Sequence, residues 1–235
     1  MGSMDTHQQL SQLIQAYKMP AQAKKLVASS GLVIICGVTA AGKNTIVNYL
    51  IEHDDFAYMV SHTTRQPRIN NGRPEQNGRD YWFVDDDKML ELVQQRAFVE
   101  IKCLHTSYFS GTSILAIEQA SQSSKRPITE IDVQGAQELM SEVPNLRPLF
   151  VLPPSYDIWM ERLNGRGEMS RQELSRRLTS AQAELQLAID EPQFALIVNH
   201  EFHKTVAEIM RGVDLSEKTQ AKRRQLARNL LAQLM

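Results

Sequence analysis

A chain of 235 residues, 42% hydrophobic and 23% charged, can bury a sizeable core as one large domain or as a core carrying inserted subdomains. Its formal net charge of −1 gives no global field toward nucleic acid or a membrane surface. No apolar stretch approaches the roughly 20 residues that span a bilayer, and the N-terminus lacks the charged-then-apolar profile of a secretory signal, so a cytoplasmic protein is expected.

Met1-Gly2-Ser3 reads as a tag remnant ahead of a start at Met4. Residues 5–28 place Leu10, Leu13, Ile14 and Tyr17 at helical spacing, followed by Pro20 and a second short helical run to Val27. This apolar stripe is expected to pack on the main domain or on another subunit, which leaves homo-oligomerisation through the terminal helices open. Ser29-Ser30-Gly31 breaks it from an apolar strand, Leu32-Val33-Ile34-Ile35-Cys36. The strand runs into Gly37-Val38-Thr39-Ala40-Ala41-Gly42-Lys43-Asn44-Thr45, which meets GxxxxGK in full, and then into a helical stretch to Ile51. Glycines let backbone N–H groups turn inward, the helix presents its positive end, and the lysine adds a point charge. A nucleoside triphosphate is the expected ligand. Asn44 stands where the motif has Ser or Thr, whose hydroxyl ligates Mg²⁺. An amide oxygen is also a hard ligand, so altered metal geometry with activity kept is expected.

Phe56–Val60 reads as a strand, and residues 61–80 as a polar loop rich in Arg, Asn, Gly and Pro. Within it Arg65 and Arg68 could clamp a monophosphate dianion, with the Tyr81 hydroxyl joining them. Tyr81–Val84 resumes strand character, and Asp85-Asp86-Asp87 opens a helix carrying Met89, Leu90, Leu92 and Val93. A helix over 113–121, strands at Pro127–Ile131 and Leu146–Leu152, a long helical stretch over 156–190 interrupted at Gly165 and Gly167, and a last strand at Phe194–Val198 follow. The C-terminal region carries Leu226, Leu230, Leu231 and Leu234 at helical spacing, with Lys222-Arg223-Arg224 expected on a solvated face. Cys36 and Cys103 fit no metal or redox spacing and read as reduced core residues, and His200 and His203 lack a ligand partner. Strands alternating with helices argue an α/β domain with a mainly parallel sheet.

Taken in order, the GxxxxGK loop, Ser61-His62-Thr63-Thr64-Arg65-Gln66-Pro67-Arg68, Glu75 through Asp80-Tyr81, Glu130-Ile131-Asp132-Val133-Gln134-Gly135-Ala136 and Pro153-Pro154-Ser155 resemble the guanylate kinase family over about residues 32–212. The resemblance implies a P-loop NTPase-type α/β fold, with the mainly parallel sheet flanked by helices and with inserted GMP-binding and lid subdomains. The expected layout is a helical extension at 1–30, a kinase-like domain at 31–212 and a C-terminal helix at 213–235. Within the domain the core takes 31–60 and 114–212, the GMP-binding part about 61–113, and the lid about 160–180. The implied reaction is Mg²⁺-dependent transfer of the ATP γ-phosphoryl group to GMP.

The resemblance also implies site residues. Gly37, Val38, Thr39, Ala40, Ala41, Gly42, Lys43, Asn44 and Thr45 would hold ATP, with Asn199 near the donor base. Ser61, Arg65, Arg68, Glu75, Tyr81, Glu100, Tyr108, Thr112 and Asp132 would hold GMP. Glu100 matches the carboxylate that reads guanine: N1–H and the exocyclic NH₂ are adjacent donors that one carboxylate can accept, whereas adenine offers an acceptor at N1. Lys43, Arg162, Arg166 and Arg177 would be catalytic, the three arginines closing as a lid that neutralises charge and excludes water. Mg²⁺ would fall to Asn44, with Asp132 reaching its water shell.

Three departures stand out. Ala40 lies where the family usually has glycine, besides Asn44 in place of the hydroxyl residue. The loop from Arg68 to Glu75 is longer than the family's turn by Asn70-Asn71-Gly72-Arg73-Pro74. The family's Tyr-Gly-Ser/Thr segment appears as Tyr108-Phe109-Ser110-Gly111-Thr112, so its second phosphate tyrosine is lost to Phe109 or shifted to Tyr108. Two rival readings remain. A kinase on the same scaffold could take another acceptor such as ribose 1,5-bisphosphate, against which Glu100 and the Arg65, Arg68 and Tyr81 set argue. A non-catalytic interaction module would need neither Lys43 nor the lid arginines.

Overall fold

The computed structural model describes residues 5–53, 56–70, 73–104, 107–165 and 169–235. The tag remnant at 1–3, Asn71 and Gly72 of the long loop, and Arg166 and Gly167 of the expected lid lie outside them. In chain order the elements begin with α1 (Thr6–Gln15), α2 (Ala21–Ser29), β1 (Val33–Gly37), α3 (Lys43–His53), β2 (Phe56–Tyr58) and β3 (His62–Thr63). Next come β4 (Ile69–Asn70), β5 (Arg73–Pro74), β6 (Trp82–Phe83), α4 (Asp86–Gln94), β7 (Phe98–Leu104), β8 (Tyr108–Ser113) and α5 (Ile114–Gln122). The chain ends with β9 (Arg126–Glu130), α6 (Val133–Glu142), β10 (Leu149–Leu152), α7 (Tyr156–Asn164), α8 (Arg171–Asp190), β11 (Ala195–Val198), α9 (Phe202–Arg211) and α10 (Glu217–Ala232). Two compact units result, one formed by residues 1–32 and 55–129, the other by 33–54 and 130–235.

The second unit carries parallel strands in the order β11-β10-β1, in register at Ile35↔Leu149 and Leu149↔Ala195. β1 is buried at every position, as a near-continuous apolar run in a parallel sheet should be. α3 and α6 pack on β1 and α10 on β11, so this parallel sheet is flanked by helices. The first unit contains a four-stranded sheet in the order β6-β3-β8-β7, the parallel pair β2 and β9, and the short hairpin β4-β5. Asp85 caps α4 by accepting from Lys88 N, with Asp86 and Asp87 in the first turn, as the acidic run predicts.

The structure corrects several local expectations. The 61–80 loop contains β3, β4 and β5, and β7 and β8 form an antiparallel pair that the sequence reading did not assign. Cys36 is buried but Cys103 is exposed, so only the first is a core thiol. Arg223 and Arg224 do not lie on a solvated face. Arg223 grips Glu208 through two bonds of 2.7 and 2.9 Å and donates to Leu196 O, and Arg224 donates to Glu191 O and Phe194 O. These bonds tie α10 to β11 and its neighbours. Leu13 turns outward, while Leu10, Ile14 and Tyr17 meet the core that α4, β7 and β8 build.

Candidate active site

The loop between β1 and α3 is shaped by its glycines and by what packs beneath it. Gly37 has φ +132°, and a Cβ there would stand 2.5 Å from Val151 O and 2.8 Å from Val151 N. Gly42 has φ +95°, and a Cβ there would fall on the Asn199 amide nitrogen. That amide donates 2.8 Å to Ala41 O, and the fully buried Trp159 donates through Nε1 to Thr39 O at 2.8 Å. Two side chains from distant segments thus hold the Thr39 and Ala41 carbonyls, and within the loop Ala41 N donates to Val38 O at 3.2 Å, which fixes the course of a loop of the kind whose N–H groups bind anions. Ala40 takes a left-handed φ of 60° without being glycine. A Gly37→Ala variant is expected to lose about 3 kcal/mol of stability, combining left-handed strain with a backbone clash. Thermal unfolding followed by circular dichroism checks it.

Lys43 opens α3 and sends Nζ back over the loop, donating to Gly37 O at 2.7 Å and Val38 O at 3.1 Å, with Glu130 3.8 Å away. Asp132 caps α6 by accepting from Gly135 N at 2.6 Å. Glu184 of α8 faces the same group of charges. Burial pushes its carboxyl up to about 7, Lys43 pulling it down and Asp132 raising it further. Arg162 donates through Nη2 to Asn199 O at 3.1 Å, and its Nη1 is buried without a hydrogen-bond partner. Arg177 is held by Glu173 at 2.7 Å, and the same carboxylate takes the exposed Arg176 at 2.6 Å. Asn44 and Thr45 are exposed on the first turn of α3. Among the described residues no group of three or more His, Cys, Asp or Glu side chains could hold a metal ion. The Asn44, Glu130 and Asp132 side chains carry oxygen ligand atoms, the type that a hard dication takes.

In the first unit the β7-β8 hairpin sets Glu100 opposite Thr112, Lys102 opposite Ser110 and Leu104 opposite Tyr108. Alternation places these pairs on one face and puts Phe109, fully buried, on the other. The tyrosine sharing the Glu100 face is therefore Tyr108. Glu100 Oε1 accepts from Thr112 N at 3.1 Å and from Thr112 Oγ1 at 2.7 Å, and Ser61 Oγ lies 3.2 Å from that hydroxyl. Arg65 forms a two-pronged pair with Glu75 at 2.6 and 2.8 Å, both side chains nearly buried, and Arg68 N donates to the same carboxylate at 2.8 Å. The Glu75 bond raises the affinity of Arg65 for its proton, and the guanidinium sits 4.6 Å above the Tyr81 ring. Glu75 thereby acts on Arg65, fixing its plane despite the longer loop before it.

The guanylate kinase family model matches residues 29–214. The chain belongs to the guanylate kinase family. It is 34% identical to the guanylate kinase of Leifsonia xyli over 217 residues, 91% of this chain and 80% of the relative. To the guanylate kinase of Escherichia coli K12 it is 34% identical over 186 residues, 78% of this chain and 86% of the relative. A crystal structure of guanylate kinase from Anaplasma phagocytophilum shares the fold, with a TM-score of 0.55 and 24% identity, covering 85% of this chain and 90% of that one. The catalytic reading, rather than the module or the other acceptor, is the one supported. For this guanylate kinase, sequence reasoning missed Trp159, Glu130 and Glu184. A tryptophan four residues after Ser155 signals helix packing, but nothing local says that its N–H reaches Thr39.

Proposed function

We propose that this enzyme performs Mg²⁺-dependent, in-line transfer of the ATP γ-phosphoryl group to GMP in the cytoplasm, where its two free cysteines suit a reducing medium. The observation that carries the assignment of the acceptor is the Glu100 carboxylate anchored on Thr112, with Arg65 oriented by Glu75 in the same unit. Glu100 accepts from guanine, Ser61, Thr112 and Tyr108 line the same side, and Arg65, Arg68 and Tyr81 take the GMP phosphate. Gly37–Thr45 and Lys43 hold the ATP phosphates, and Asn199 supports the loop from below. An ionised monophosphate is already nucleophilic, so no strong general base is needed. Catalysis is positioning plus neutralisation, by Lys43 at the donor phosphates and by Arg162, Arg166 and Arg177 as charge spreads over the transferred group. Asn44 would offer a protein oxygen to Mg²⁺, with Asp132 in its outer surroundings, and the ion would add neutralising charge at the phosphates.

The test is ADP formation from Mg·ATP with GMP, dGMP, AMP, UMP and ribose 1,5-bisphosphate offered separately. Turnover with the guanine nucleotides well above the other acceptors is expected. Preferential turnover with ribose 1,5-bisphosphate would overturn the acceptor assignment.

A further inference from the structure

β7 is the terminal strand of the β6-β3-β8-β7 sheet, so its outer edge carries backbone groups that no strand of that sheet pairs. At Phe98 this edge is closed by a single side chain. The Tyr17 hydroxyl donates to Phe98 O at 2.7 Å and accepts from Phe98 N at 3.0 Å, so it answers both polar groups of one residue. A phenol is protonated at neutral pH and able to donate, and burial raises the Tyr17 pKa further. The β7-β8 register shifts between Phe98 and Glu100. A bulge adds a residue on one strand and re-aims the side chain beyond it, and here that side chain is Glu100.

Tyr17 is itself held in place. Leu10, fully buried, sits in one cluster with Met89, Val93, Phe98, Ile101 and Phe109. Thr6 Oγ1 donates to Asp87 at 2.9 Å, His7 Nδ1 lies 3.0 Å from Asp86, and the His7 ring stands 4.7 Å from that of Phe109. These contacts bind the N-terminal helix to α4 and the β7-β8 pair, so the apolar stripe, expected on the main domain or on another subunit, packs within this chain.

We propose that Tyr17 is a positioning residue for acceptor recognition, its hydroxyl pinning the edge-strand bulge that aims the Glu100 carboxylate. The proposal rests on Glu100 reading guanine, so the experiment includes a variant of that residue. Steady-state kinetics of the full chain would compare the parent enzyme with Tyr17→Phe, Glu100→Gln and Val93→Ala, the last loosening the same cluster without touching the hydroxyl. Tyr17→Phe is expected to raise the KM for GMP about tenfold while the KM for ATP stays within about twofold. Val93→Ala is expected to lower Tm at least as far, with its KM for GMP unchanged. If Glu100→Gln raises the KM for GMP and Tyr17→Phe does not, the proposal falls and the Glu100 reading stands. If Glu100→Gln leaves it unchanged, both fall. Equal rises in Tyr17→Phe and Val93→Ala would reduce Tyr17 to a packing residue and also overturn the proposal.

Discussion

The Lys43→Ala enzyme is expected to fold normally and to lose about 10³ in kcat, the scale set by removing a preorganised group aimed at developing charge. Nζ reaches Gly37 O and Val38 O and lies 3.8 Å from Glu130, so it is positioned over the loop by the loop itself. Truncation leaves Val38 O still accepting from Ala41 N, and leaves Gly37 O to a water that takes the place of the ammonium at a side chain already 13% exposed. The stability cost should therefore stay near 1 kcal/mol, a Tm change of about 2–4 °C for a chain of this size. Lys43→Arg is not expected to rescue activity, because a planar fork cannot place its charge where a compact ammonium stands. GMP-dependent ADP formation beside thermal unfolding separates the two effects. A Lys43→Ala enzyme with near-parental kcat would leave the lysine as a structural tie of the loop and no more.

How far the sequence could be read depended on whether a feature was local. The strand, the glycine loop and the lysine lie within about a dozen consecutive positions, and their order alone implied polyphosphate chemistry. The reason Gly37 and Gly42 must be glycine was not legible, because the atoms they make room for belong to Val151 and Asn199, more than a hundred residues away. The β7-β8 hairpin was legible in principle. Glu100-Ile101-Lys102 alternates, yet the hydroxyl-rich partner Ser110-Gly111-Thr112-Ser113 lacks the β-branched apolar run that marks a strand. Helical spacing revealed α1 but could not say whether its stripe faced this chain or another copy. The basic cluster at 222–224 misled for the same reason: a charge run on a helix reads as solvated until its carboxylate partner, here Glu208, is brought beside it.

Glu100→Gln is expected to cut kcat/KM for GMP about 10²–10³-fold, roughly 3–4 kcal/mol, while leaving Tm within a few degrees. Thr112 N–H can only donate, and it points at one oxygen of residue 100. A glutamine must turn its carbonyl toward that N–H to keep the hairpin bond, which places its NH₂ at the position of the second carboxylate oxygen. There it would meet the N1–H or NH₂ of guanine, donor against donor, and a buried donor left unpaired costs more than the lost bond was worth. Adenine presents an acceptor at N1, so the same NH₂ meets no such conflict there. The ratio of GMP to AMP turnover should therefore collapse even if AMP remains a poor substrate in absolute terms. Ribose 1,5-bisphosphate carries no base and should be indifferent to the change, so measuring all three acceptors on the parent and the Glu100→Gln enzyme tests the residue and the substrate class together. An unaltered GMP to AMP ratio would mean that guanine is read elsewhere, and that the Thr112-anchored carboxylate serves only to close the hairpin.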